Sequence, residues 1–215
     1  MASRIIHLAI ANEIAKEIEI EDMNRFRLGS ILPDAYAKGL GTSTSHLKTK
    51  INNNTQNTYR LAWFREQYKN EMQQDSLYLG YYMHLIQDIL FRHFVYDDYK
   101  WDPVPEGNVQ RLHNDYGLIN SYVIDKCDVS DVLNIHYDIN SEALMDIYPF
   151  DLEQLKTNLK SDFEAHVEGE IFFFTEKMAD EYIRKAADMC VAEIKAIQKG
   201  EYIIDEEKYA WRAHS

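Results

Sequence analysis

Leu77-Tyr78-Leu79-Gly80-Tyr81-Tyr82-Met83-His84-Leu85-Ile86-Gln87-Asp88-Ile89-Leu90-Phe91-Arg92-His93 decides how the chain reads. Apolar side chains fill most of its positions, so the stretch predicts a largely buried helix from Ser76 to about Phe94. His84 and Asp88 stand four residues apart in its middle and therefore leave one face about one turn apart. A buried carboxylate needs a partner, because an unpaired interior charge costs several kcal/mol or more. An arginine, a protonated histidine or a metal ion would serve, and a hydrogen-bonded core pair is the plainer alternative to a pair of metal ligands.

The same helical period runs through the rest of the chain. Only 4 prolines and 8 glycines punctuate 215 residues, and no linker divides them, which predicts an all-α, multi-helix single domain over 1–215. A first helix is expected from Ser3 to Glu19, capped by Ser3, with Ile6, Ile10, Ile14 and Ile18 near one face. Further helices are expected over Thr58 to Gln74, Glu106 to Lys126, Asp151 to about Glu168 and Thr175 to Lys199, with shorter ones over Asp128 to Tyr137 and Ser141 to Tyr148. Gly39 to Asn57 reads as a long irregular loop, and residues 201–215 as a charged tail packing through Tyr202, Tyr209 and Trp211.

A formal net charge of −13 argues against general attraction to nucleic acid or anionic lipid. The two cysteines, Cys127 and Cys190, lie far apart without paired-ligand spacing and read as reduced packing residues. Met-Ala-Ser-Arg-Ile-Ile-His has no secretory pattern and no later run is long and apolar enough to span a bilayer, so the expected location is cytoplasmic.

Several polar residues fall where a site could form. His7 lies beside the isoleucine stripe; Pro33 restricts the backbone leading into Asp34; His46 sits in the polar tract. Each also has an ordinary reading, as a satisfied core histidine, a turn residue and a stray loop histidine. His113 and Asp115 are two apart, so one helix face cannot present both. His93 comes nine residues after His84, on the opposite face of a straight helix. His136 and His166 have no companion at ligand spacing and read as surface or packing residues.

Four pieces in order, Arg4-Ile5-Ile6-His7-Leu8-Ala9, Leu28-Gly29-Ser30-Ile31-Leu32-Pro33-Asp34-Ala35, Ser45-His46-Leu47 and Tyr78 to Asp88, resemble the zinc-dependent phospholipase C family in its short branch without a signal sequence. That family is related in fold to the S1/P1-type nucleases. The resemblance implies that His46, His84 and Asp88 bind one zinc with Asp34 beside it as ligand or general base, and that Asp88 bridges to a second zinc held by His7. For a third ion the family uses a histidine soon after the aspartate and then His-x-x-x-Glu. Here His93 comes at shortened spacing and His113 is followed by Gly117, so that pattern is incomplete and His93, His113 and Asp115 stay open as ligands or supporting residues.

Imidazoles with carboxylates suit zinc, while iron, manganese or nickel are alternatives. Two such ions can activate a water and stabilise an in-line displacement at phosphorus. The expected function is phosphoester hydrolysis with Asp34 orienting or deprotonating the water, on a soluble phosphoester or a lipid headgroup. The alternative is a metal-binding structural or sensing protein of the same fold without turnover.

Overall fold

The structure, a computed structural model, describes residues 2–37, 40–130, 139–164 and 168–213. Its helices in chain order are α1 (Arg4–Ala15), α2 (Met23–Gly29), α3 (Leu61–Gln67), α4 (Glu71–Gln74), α5 (Ser76–His93), α6 (Asn108–Cys127), α7 (Leu152–Glu164) and α8 (Glu176–Ile197). Strands β1 (Lys48–Ile51), β2 (Gln56–Tyr59) and β3 (Trp211–Arg212) form a small antiparallel sheet in that order. His136 and His166 lie outside the described residues, as does most of the short helix expected over Asp128 to Tyr137.

Ser3 caps α1 by accepting the Ile6 N–H, and Ile6, Ile10 and Ile14 are fully buried, with Ile18 just beyond the helix end. Thr175 caps α8 in the same way through Met178, and Asp151 accepts the Gln154 N–H at the start of α7. Each buried aliphatic side chain contributes about 1.5–3 kcal/mol. One contiguous apolar cluster runs from Ile5 on α1 through α5 to Ile197 on α8.

The central crossing depends on two glycines. A Cβ on Gly29 would collide with the Leu77 carbonyl, and one on Gly80 with the Phe26 carbonyl, so α2 and α5 meet backbone to backbone. Arg25 on α2 reinforces the contact by pairing with Asp75, which caps α5 through the Leu77 N–H at 2.8 Å, and with Glu142 at 2.8 Å. The end of α2 and the 3₁₀ turn Leu32–Asp34 after it are thereby brought to the middle of α5.

The domain is mostly helical, as expected, and its departures are local. The polar tract after His46 is a β-hairpin in which Lys48 faces Tyr59 and Thr49 faces Thr58. Its turn uses Asn52, Asn53 and Asn54 at φ of 51°, 54° and 65°, the left-handed region that asparagine tolerates better than most residues. The strand takes residues 58 and 59 out of the helix expected over Thr58 to Gln74, and Tyr68 to Asn70 divide the remainder into α3 and α4. Ser141 to Tyr148 holds only a 3₁₀ turn, Ala143–Asp146. The expected C-terminal tail is part of the fold: Trp211 pairs with Asn57, and buried Glu193 accepts the N–H groups of Ile203 and Ile204.

Candidate metal centre

Three imidazoles converge where α1, α5 and the loop before β1 meet, and all three are buried. His7 Nδ1 lies 2.7 Å from the Gln87 amide oxygen, His84 Nδ1 lies 2.8 Å from the Ser30 carbonyl, and His46 Nδ1 lies 2.9 Å from the Thr42 carbonyl. Those oxygens only accept, so each Nδ1 carries the proton and each Nε2 presents a lone pair. His7 Nε2 is buried without a hydrogen-bond partner, and the Nε2 atoms of His84 and His46 face each other at 3.0 Å. Burial, and next the neighbouring His7, push the His84 pKa down to about 3, so His84 brings a lone pair and no proton to that contact. A cation between the two nitrogens would be held by both.

The carboxylates complete the donor set. Asp88 Oδ2 lies 3.5 Å from His46 Nε2 and 3.9 Å from His84 Nε2, and it accepts the Tyr59 hydroxyl at 3.3 Å. Its Oδ1 lies 3.5 Å from His7 Nε2 and accepts the Ala2 N–H at 3.0 Å. Asp34 Oδ1 lies 3.5 Å from His46 Nε2. Burial alone would raise both carboxyl pKa values, yet positive charge on the surrounding imidazoles, His46, His84 and His7 around Asp34 and His7 and His84 among the groups around Asp88, would hold both below the usual range, and a cation held by the neutral imidazoles would do the same.

Separations of 3.5–3.9 Å are long for hydrogen bonds. Those of 3.5 Å suit atoms sharing an ion, since donors 2.0–2.2 Å from a tetrahedral zinc lie about 3.3–3.6 Å apart. Two groups have all their donor atoms within 4.8 Å of one another: His46, His84 and Asp88, and His7, Asp34 and His84. His84 Nε2 has one lone pair and can serve one ion, whereas the two oxygens of Asp88 face different imidazoles and can serve two. The residues therefore fit zinc, and the set of nitrogens and oxygens also admits neighbouring divalent metals.

Local structure explains the convergence. His84 and Asp88 share α5; the glycine crossing delivers the Ser30 carbonyl; the Tyr81 hydroxyl donates to the Ser45 carbonyl and pins the loop carrying His46. Pro33 opens the 3₁₀ turn that presents Asp34. Sequence reasoning missed Gln87, which fixes the His7 tautomer. Its signal was an amide set in an otherwise apolar run beside Asp88. Tyr59, hidden in an unrecognised strand, was missed as well.

The remaining candidates stand apart from the cluster. His93 is partly exposed, paired with Asp97 at 2.8 Å and set edge-on to Tyr209. Asp115 is buried but accepts the N–H groups of Phe172, Phe173 and Phe174, each at 2.8 Å. His113 is exposed and lines a cavity of about 240 Å³ that reaches His46, together with Lys48, Tyr59, Arg92 and Trp101. A larger hollow of about 670 Å³, bordered by Glu13, Lys126 and Asp180, touches none of the cage donors.

The chain belongs to the zinc-dependent phospholipase C family, whose model matches residues 6–208. The match extends well past the four motifs that carry the resemblance and takes in α6, α7 and α8. No curated protein and no solved structure matches the chain.

Proposed function

We propose that the chain is a zinc-dependent phosphoester hydrolase whose reaction is centred on the His7, Asp34, His46, His84 and Asp88 cluster. The observation that carries this reading is the opposition of the His84 and His46 Nε2 lone pairs at 3.0 Å beside a buried carboxylate. Membership of the zinc-dependent phospholipase C family supports it.

His46, His84 and Asp88 would hold one ion, and His7 with the other oxygen of Asp88 a second. Zinc, when bound, supplies Lewis acidity, lowering the pKa of water and neutralising charge on phosphoryl oxygens. Asp34 stays ionised, because positive charge beside it holds its pKa below the usual carboxylate range against burial. With Oδ1 turned to His46, Oδ2 has no hydrogen-bond partner among the described residues and is the atom that would orient a water and receive its proton. Tyr59 holds Asp88 in place through its hydroxyl, and Gln87 keeps His7 in the tautomer that leaves Nε2 free. The substrate is a soluble phosphoester or a lipid headgroup; no helix among the described residues is long and apolar enough to cross a membrane.

Zinc-loaded protein should hydrolyse an aryl phosphodiester, and Asp34→Asn should retain the fold while lowering turnover by roughly 10² to 10⁴-fold. Zinc retained in that variant makes Asp34 mainly a base, and zinc lost with activity makes it mainly a ligand. Stoichiometric zinc in the native protein without turnover on any of a panel of phosphoesters would overturn the hydrolase reading and leave the metal-binding one.

A further inference from the structure

We propose that Lys48 and Arg92 form an anion site in the cavity beside the metal centre, so that the substrate is a phosphoester whose alcohol carries a second anionic group. The substrate half of this proposal rests on the hydrolase reading of the same centre.

The chain has 36 acidic and 23 basic residues, yet both cations lining this cavity lack a carboxylate within 4 Å among the described residues. Lys48 lies opposite Tyr59 in the β1–β2 ladder, so the two side chains share a face of the sheet. Arg92 donates from Nε to the Tyr59 hydroxyl at 3.2 Å and from Nη1 to the Tyr96 hydroxyl at 3.1 Å, which fixes the guanidinium and leaves Nη2 without a partner among the described residues. Trp211 gathers both: the guanidinium carbon stands 4.4 Å and the Lys48 ammonium 6.0 Å from its ring centre.

The same Tyr59 hydroxyl that accepts from Arg92 donates to Asp88 Oδ2, placing the cation pair one side chain from the cage. A group held there and a phosphoester at the cage can therefore belong to one molecule. Two adjacent cations repel a quaternary ammonium headgroup and attract a phosphate or carboxylate. A volume of about 240 Å³ suits a headgroup-sized substituent, below the usual range for larger ligands.

The first test titrates zinc-loaded protein with inorganic sulfate and follows tryptophan fluorescence, since Trp101 lines the cavity and Trp211 carries both cations. A saturable change is expected, weakened about three- to fivefold in Lys48→Gln and retained in metal-free protein. An unchanged titration in Lys48→Gln, or one that disappears when zinc is removed, would place sulfate elsewhere and overturn the site. The second test compares hydrolysis of glycerophosphoinositol 4-phosphate with glycerophosphocholine. A preference of about tenfold for the former, reduced in Lys48→Gln, is expected, and equal rates would overturn the substrate assignment. Cleavage of the same phosphorylated headgroup only in lipid vesicles identifies a lipid, and cleavage only of the soluble form identifies a small molecule. If neither form nor the choline ester is cleaved, the hydrolase reading and the substrate half fall together, while the sulfate titration still decides the anion site.

Discussion

Asp88 and Asp115 are both buried carboxylates on long helices, and they do opposite work. The oxygens of Asp115 take three backbone N–H groups from the segment Phe172 to Phe174, so its bonding is complete and it anchors a loop. Asp88 takes one N–H and one hydroxyl and then faces imidazoles at 3.5–3.9 Å whose nearest atoms carry lone pairs. Glu193 is of the first kind, saturated by the Tyr82 hydroxyl and two backbone N–H groups. Burial of an acid therefore does not mark a reactive centre; the mark is bonding capacity left over and turned towards other acceptors.

The comparison breaks most visibly at Asp88. Asp88→Asn should release at least one equivalent of zinc by elemental analysis and lower phosphodiester hydrolysis by about 10² to 10³-fold or more. Full zinc content in this variant would show that Asp88 is another anchor.

A pH titration of metal-free protein sharpens the same contrast. The folded His84 pKa is about 3 against 6.5 ordinarily, so between those values the unfolded chain binds a proton that the folded chain does not. Stability should then fall as pH drops from about 6.5 towards 3, by an amount on the order of several kcal/mol, and zinc should suppress the loss by occupying the lone pair. Urea melts that show a flat stability across this window without metal would contradict the neutral, closely opposed imidazoles.

At Asp115 the expected effect is smaller and purely structural. An asparagine there offers one acceptor oxygen and an amide NH₂ to three N–H donors, at a cost of about 1.5–3 kcal/mol. Asp115→Asn should lower the thermal midpoint while zinc stoichiometry and turnover per bound zinc stay at native values. Zinc loss from the folded variant would make this residue part of the centre after all.

What the sequence made legible follows from how far each interaction reaches along the chain. The isoleucine stripe of α1 and the caps Ser3 and Thr175 are local, and the structure has them where their spacing puts them. His84 and Asp88 are legible as a pair because one helix carries both. The hairpin was hidden because Lys48–Ile51 shows no buried face, while the buried Asn57 and Thr58 of β2 are covered by distant contacts such as Glu206, whose carbonyl accepts from Thr58. Trp211 looked like part of a tail because its partner strand is more than half the chain away. Within the site, the oxygens that set the His84 and His46 tautomers belong to backbone carbonyls, which no residue type advertises. Family resemblance supplied the grouping of His7 and His46 with α5 that spacing alone left open.

The smallest effect is expected at His93, which tests where the cage ends. Nine residues beyond His84 a straight α-helix has turned through half a revolution more than whole turns, and α5 runs as an α-helix up to His93 itself. The π-helical turn Phe94–Asp98 begins only after it, too late to swing the ring inward. The imidazole instead bonds Asp97, which is itself exposed, and rests against Tyr209. An exposed pair of this sort contributes about 0–1 kcal/mol. His93→Ala should therefore leave zinc content and hydrolysis at native levels and change stability by no more than about 1 kcal/mol. Loss of an equivalent of zinc in this variant would show that the chain does hold a third ion, reached through a rearrangement of the segment after α5.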